Sequence, residues 1–182
     1  FEYARSVKKP NILVVHKASI MKLSDGLFVN TAREVAREYP DISLDFELID
    51  NTCLKLTTDP TQYSNVVMVM PNLYGDIMSD LSSGLIGGLG LTPSGNMGKN
   101  VSIFEAVHGS APDIAGMNLA NPTALLLSSV MMLRHMALDD YADKIENAIL
   151  KTIASGPESR TKDLRGQAGT DEFTKKIISN LA

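Results

Sequence analysis

Between residues 11 and 86 the chain repeats one pattern: a short run rich in β-branched residues, then a stretch with helical spacing. "NILVVHK" (11–17) follows Pro10 and reads as a buried strand. From Ser19 to Tyr39, positions Ile20, Leu23, Leu27, Phe28, Thr31, Val35 and Tyr39 recur at helical spacing, and Pro40 closes the segment. "SLDFELID" (43–50) alternates apolar and polar residues, as a half-buried strand does. "NTCLKLTTDP" reads as a short helix or turn ending at Pro60. "VVMVM" (66–70) reads as a fully buried strand, and "YGDIMSDLSSGLIGG" as a helix giving way to a glycine-rich turn. Strands alternating with helices specify an α/β fold.

The pattern then changes. "GGLGLTPSGNMG" and "EAVHGSAPDIAG" read as loops rich in Gly, Pro and Ser, with a short strand, "SIFEAV", between them. After Pro122 the spacing predicts a helix to Leu138 and a second from about Asp140 to Ala154, with Ile145, Ala148, Ile149 and Ile153 on one face. "GPESRTKDLRGQAGT" is a loop and "DEFTKKIISNL" a terminal helix; Met131, Met132 and Met136 read as core. A boundary between two subregions is expected near Gly87 to Gly98.

Composition narrows the function classes. A net charge of −4 without a basic tract leaves no electrostatic footprint for non-specific nucleic-acid binding. A single cysteine, Cys53, allows no internal disulfide and fits a reducing compartment. There is no run of eighteen apolar residues, so no membrane-spanning helix is expected. No targeting segment is visible. The opening "FEYARSVKK" reads as the end of a helix without an initiator Met, so further residues are expected upstream.

Three places can carry chemistry. Asp76 and Asp80 stand four positions apart, where like charges cost a helix roughly 0.2–0.5 kcal/mol. A Mg²⁺ or Mn²⁺ ion relieves that repulsion through oxygen ligands, and Asp50, ending "ELID", is a third acid; a solvated helix face is the competing reading. Lys17 ends the first strand, where a lysine serves either as a proton donor and acceptor or as an ordinary surface residue. "VHGSAPDIAG" (107–116) has the small residues that let a backbone hold a nucleotide, and also those of a structural turn. It is not a Rossmann fingerprint, because no G-x-G-x-x-G lies between a strand and a helix.

Longer motifs are more specific. "VVHKASIMKLSDGLF", "NLYGDIMSDLSSGLIGG" and "FEAVHGSAPDIAGMNLANPTALLLSSVMMLRHM" together resemble the β-decarboxylating dehydrogenases, the family of isocitrate, 3-isopropylmalate and tartrate dehydrogenases. The resemblance runs the length of the chain and matches the C-terminal portion of a family subunit. It implies an isocitrate/isopropylmalate dehydrogenase-like α/β fold, not a Rossmann fold, present in part. Residues 1–90 would be part of the small, central, dimer-forming domain, and 91–182 the C-terminal part of the large domain with the NAD-binding loop.

By that resemblance Lys17 is the catalytic lysine, and Asp50, Asp76 and Asp80 are the metal-binding aspartates. Leu89, Glu105, His108, Gly109, Ser110, Ala111, Asp113, Ile114 and Asn121 form the cofactor site. Asp113–Ile114 resembles the NAD-type pair, where NADP users place Lys and Tyr. The chain departs from the family at Ser19, where Asn is common, and lacks the upstream half that clamps substrate carboxylates. "YGDIMSD" and "HGSAPD" are retained, unlike in regulatory subunits, and His16 with "DGLF" favours the isocitrate branch over the isopropylmalate one. The expectations are therefore an NAD- and Mg²⁺- or Mn²⁺-dependent oxidative decarboxylation of isocitrate in the mitochondrial matrix, as part of the tricarboxylic acid cycle. A homo- or hetero-oligomer with related catalytic or regulatory subunits is implied, and this portion is inactive alone. In the family, the lysine and one metal aspartate reach into the partner subunit's site.

Overall fold

A computed structural model describes residues 1–181. The chain forms two units, one from Phe1 to Ser82 and one from Ser83 onward, dividing inside a helix.

The first unit is built on three parallel strands. β1 (Asn11–His16) lies between β2 (Ser43–Leu48) and β3 (Val66–Val69), with Asn11 opposite both Ser43 and Val66. Parallel neighbours require crossovers, which α2 (Ser24–Ala36) and α3 (Ile49–Thr58) supply. The central strand takes the burial: Ile12, Leu13, Val14 and Val15 are all buried. Val14 packs with Ala4 of the short helix α1 (Glu2–Ser6), and with Val29 and Ile42. β3 is not the fully buried strand its composition predicts. Among the described residues it lies at the sheet edge, paired with β1 alone, and Val69 is 40% exposed.

Helix α2 begins at Ser24, not near Ser19. The Ile20 and Met21 N–H groups both donate to the Lys17 carbonyl, which turns the chain tightly before the helix starts. Part of the apolar stripe read from the sequence therefore faces outward: Ile20, Leu23 (91%) and Leu27 are exposed, while Val29 carries the core contact. Asp50 likewise does not end a strand. β2 passes straight into α3, and Asp50 stands in the first turn of that helix.

In the second unit, β4 (Pro93–Met97) and β5 (Ser102–Ala106) form an antiparallel hairpin, with Gly95 opposite Phe104. β4 lies in the stretch read as loop. A Cβ at Gly95 would meet the Phe104 ring at 3.0–3.1 Å, so this glycine makes room for a neighbour instead of breaking a strand. α5 (Thr123–His135), α6 (Asp139–Ala154) and α7 (Thr170–Ser179) follow. Buried Ser128 fastens α5 to the hairpin: its hydroxyl lies 2.7 Å from the Glu105 carbonyl and accepts the Ser94 N–H. Ala148, Ile149, Ala168, Phe173 and Ile177 form the core between α6 and α7. Met132 and Met136 (58% exposed) lie outside it, because the buried face of α5 is made of Ala124, Ser128 and Val130.

Candidate functional site

Each unit carries one cluster. In the first, Lys17 leaves the end of β1 and its Nζ lies 2.6 Å from Asp50 Oδ1. That bond, together with main-chain N–H groups at the start of α3, holds the Asp50 carboxyl below its ordinary value. The lysine main chain is fixed as well. Its N–H donates to Asp25 Oδ2 at 2.7 Å, and its carbonyl closes the turn. Beside it, the Ala18 N–H donates to His16 Nδ1, which gives His16 a structural part in the same turn.

Asp76 and Asp80 project from α4 (Asn72–Ile86), one helical turn apart and both exposed. Asp76 accepts from the Asn72 amide at 3.2 Å. Among the described residues no cation pairs with either carboxylate. Two carboxylates on adjacent turns are hard oxygen donors, so they fit part of a Mg²⁺ or Mn²⁺ site. The structure does not complete that site within one chain. Among the described residues no group of three acidic, His or Cys side chains is placed to hold a metal, and Asp50 is engaged by Lys17.

The sequence reading missed two side chains here. Asp25 is only 5% exposed, and Tyr74 Oη donates to its Oδ2 at 2.9 Å. Burial, and then that bond to a carboxylate, push the Tyr74 phenol up, so it stays protonated as a donor. The signal was present in the acid of "SDGLF", four residues before the buried Val29.

In the second unit a cavity of about 850 Å³ opens beside the loop 107–122. Of the residues that the resemblance assigns to a cofactor, Leu89, His108, Gly109, Ser110, Ala111, Ile114 and Asn121 line it. Glu105 and Asp113 do not. Glu105 accepts from the Asn96 amide across the hairpin, and Asp113 is exposed in the 3₁₀ turn Pro112–Ile114. Ala111 sits in the left-handed region at φ 43°, a conformation costing a residue with a side chain about 1–2 kcal/mol.

Gly90, Asn118, Asp163, Thr170 and Asp171 also line the cavity and were not read from the sequence. Three of them come from the C-terminal loop and α7, which long-range bonds stitch to the 107–122 loop. Asn118 Oδ1 accepts the Asp171 N–H, the Asn118 carbonyl accepts the Thr170 N–H, and the Thr170 hydroxyl donates to the Ala120 carbonyl. Asn121 is held at both ends of its amide: Oδ1 accepts the Thr123 N–H at 3.0 Å, and Nδ2 donates to Asp163 Oδ2 at 2.8 Å. Among the described residues the wall holds two carboxylates, Asp163 and Asp171, and neither Lys nor Arg.

Residues 1–177 match the family model described as isocitrate/isopropylmalate dehydrogenase. The chain is 65% identical over 181 residues to a protein of Schizosaccharomyces pombe named isocitrate dehydrogenase (NAD) subunit 2, mitochondrial, covering all of this chain and 48% of that one. It is 59% identical over 182 residues to the pig protein named isocitrate dehydrogenase (NAD) subunit alpha, mitochondrial, covering 49% of its length. Among solved structures, isocitrate dehydrogenase from Methylococcus capsulatus matches 99% of this chain and 53% of its own, at 43% identity and a TM-score of 0.92. The chain thus spans about half the length of the curated relatives it matches.

Proposed function

Because this chain belongs to the isocitrate/isopropylmalate dehydrogenase family, we propose that it carries the lysine, the metal carboxylates and the dinucleotide pocket of an NAD-dependent isocitrate dehydrogenase. The reaction is oxidation of isocitrate at C2 and loss of CO₂ to give 2-oxoglutarate, in mitochondria, where the named relatives are placed. Residues 1–90 belong in this reading to a small, dimer-forming domain, and 91–182 to the large one.

One observation carries the choice of NAD: among the described residues the cavity wall bears Asp163 and Asp171 and neither Lys nor Arg. A 2′-phosphate would meet two carboxylates there and no Lys or Arg to offset them, whereas a ribose 2′-hydroxyl meets acceptors. Asp113 adds a carboxylate outside the wall. Bound there, NAD is the two-electron acceptor for C2. The Gly109–Ala111 backbone and the fixed Asn121 amide orient it.

In the other cluster, Asp76 and Asp80 hold the divalent ion and Asp50 joins them from a neighbouring subunit. Among the described residues Asp50 is bonded to Lys17 and not grouped with Asp76 and Asp80, which supports a site shared in this way. When bound, the ion supplies positive charge beside the substrate's hydroxyl and carboxylate oxygens. Lys17 comes from the neighbouring subunit with Asp50, and its Nζ, as the neutral amine once the ammonium has released a proton to solvent, takes the proton from the C2 hydroxyl and gives it back to that substrate oxygen as CO₂ leaves. Before substrate binds, the Asp50 carboxylate holds Lys17 in place as its ammonium. Exposed Ile20, Leu23 and Leu27, with Leu73 and Ile77 on α4, provide apolar surface for subunit contact. The partner is a catalytic or regulatory subunit of the same family.

NADH formation tests this reading. The full-length protein with its partner subunits is expected to reduce NAD with isocitrate only when Mg²⁺ or Mn²⁺ is present, and residues 1–182 alone to show no turnover. Faster turnover of 3-isopropylmalate, or indifference to the metal, would count against it.

A further inference from the structure

Asp25 is the one buried charged side chain among the described residues. Burying a carboxylate is expensive unless donors replace its water. Three neutral donors do so: the Lys17 main-chain N–H at 2.7 Å, the Tyr74 hydroxyl at 2.9 Å and the Ser24 hydroxyl at 3.2 Å. Its place in the first turn of α2 adds the favourable end of a helix dipole. The two shortest bonds converge on one oxygen, Oδ2, and come from separate elements. One donor belongs to the residue whose Nζ contacts Asp50, and the other lies two residues before Asp76 on α4.

Resting on the reading of Lys17 and α4 given above, we propose that Asp25 is a positioning residue. Its buried carboxylate, through Oδ2, ties the main chain of the acid–base lysine to the helix that carries Asp76 and Asp80. It touches no reacting atom. Lys17 needs such a tie because its ammonium ends a flexible stem, so its placement depends on where the stem begins. The N–H is held by Asp25 and the carbonyl by Ile20 and Met21, so the lysine backbone is fixed on both sides. Tyr74 extends the tie to α4, so the lysine that this chain lends to its partner's site and the carboxylates that hold its own ion share one internal reference point. The sheet alone does not provide this, since β1 ends at His16 and β3 at Val69, before either group.

The test uses the full-length, assembled protein with three substitutions. Asp25→Asn is expected to lower kcat by roughly tenfold or more, as small displacements of a catalytic group do. Tyr74→Phe, which deletes one hydroxyl, is expected to lower it by about threefold on the same grounds. In both, the KM for NAD stays unchanged, because the cofactor cavity is built in the other unit. A purely structural role would lower the melting temperature and leave kcat of the folded enzyme alone. If both variants fold and keep kcat within about twofold, the proposal is overturned. If Asp25→Asn does not fold, Tyr74→Phe decides by the same criterion. Lys17→Met separates the two levels: if it abolishes turnover while the other variants are normal, only the positioning role fails. If Lys17→Met is itself active, the reading of Lys17 fails first.

Discussion

Gly90 lies in the cavity wall within the 3₁₀ turn Leu89–Leu91. A Cβ added there would meet Asp163 Oδ2 at 2.9 Å and Asn121 Cβ at 3.3 Å. The first contact is closer than Cβ atoms tolerate, and the Asp163 carboxylate, exposed and flexible, is what gives way. That oxygen is the acceptor of the 2.8 Å bond that fixes the Asn121 amide. Gly90→Ala therefore costs one hydrogen bond at the pocket, about 1 kcal/mol net on a wet surface. A loss of that size weakens NAD binding about fivefold. Calorimetric titration of NAD into the full-length protein, Gly90→Ala, Asp163→Ala and the double variant measures it. Both single variants break the same bond, so the double variant should lose little beyond Asp163→Ala alone. An unchanged Kd for Gly90→Ala, or losses that add in full, would refute the reasoning.

Three further outcomes follow from particular residues. Asp113→Lys should raise the ratio of kcat/KM for NADP to that for NAD; an unchanged ratio takes Asp113 out of the ribose site. Phe173, fully buried against Ala148, Ile149 and Ile177, anchors the helix whose first residues line the cavity, so Phe173→Ala should cost about 3–5 kcal/mol in urea unfolding. A loss below about 1 kcal/mol would contradict that packing. Burial works to raise the Glu47 carboxyl, but hydrogen bonds from Lys55, Tyr63 and Thr52 outweigh it and leave the group below its ordinary 4.5. A depressed carboxyl stabilises the fold above that pH and loses its contribution as pH falls through the folded value. The stability gap between wild type and Glu47→Gln should therefore be full at neutral pH and close in acid; a gap independent of pH would be wrong for this network.

The strands of the first unit were legible because β-branched runs are strong signals, and the family motifs were legible because they are long. The failures have a common cause: each depended on a neighbour distant in sequence. β4 could not be seen while the Phe104 ring that requires Gly95 was unplaced. "VVMVM" carries the composition of a central strand, and only the order β2-β1-β3 makes it an edge. Ile20, Leu23 and Leu27 fit helical spacing, but spacing does not say whether core or another subunit covers them. At the candidate site, local motifs singled out Lys17, Asp76, Asp80 and most of the loop that lines the cavity. Asp25, Tyr74, Asp163 and Thr170 act through contacts spanning many residues, and no local pattern marks those.

In the proposed metal set Asp50 stands apart: among the described residues it meets Lys17 and not the other two carboxylates. Mn²⁺ titration of the assembled full-length protein, read by loss of the free-ion paramagnetic resonance signal, tests this directly. Asp76→Asn, Asp80→Asn and Asp50→Asn should each weaken Mn²⁺ binding by roughly tenfold or more if all three carboxylates ligate one ion. Wild-type affinity in Asp76→Asn or Asp80→Asn would remove α4 from the metal site. Wild-type affinity in Asp50→Asn would mean that Asp50 serves Lys17 alone.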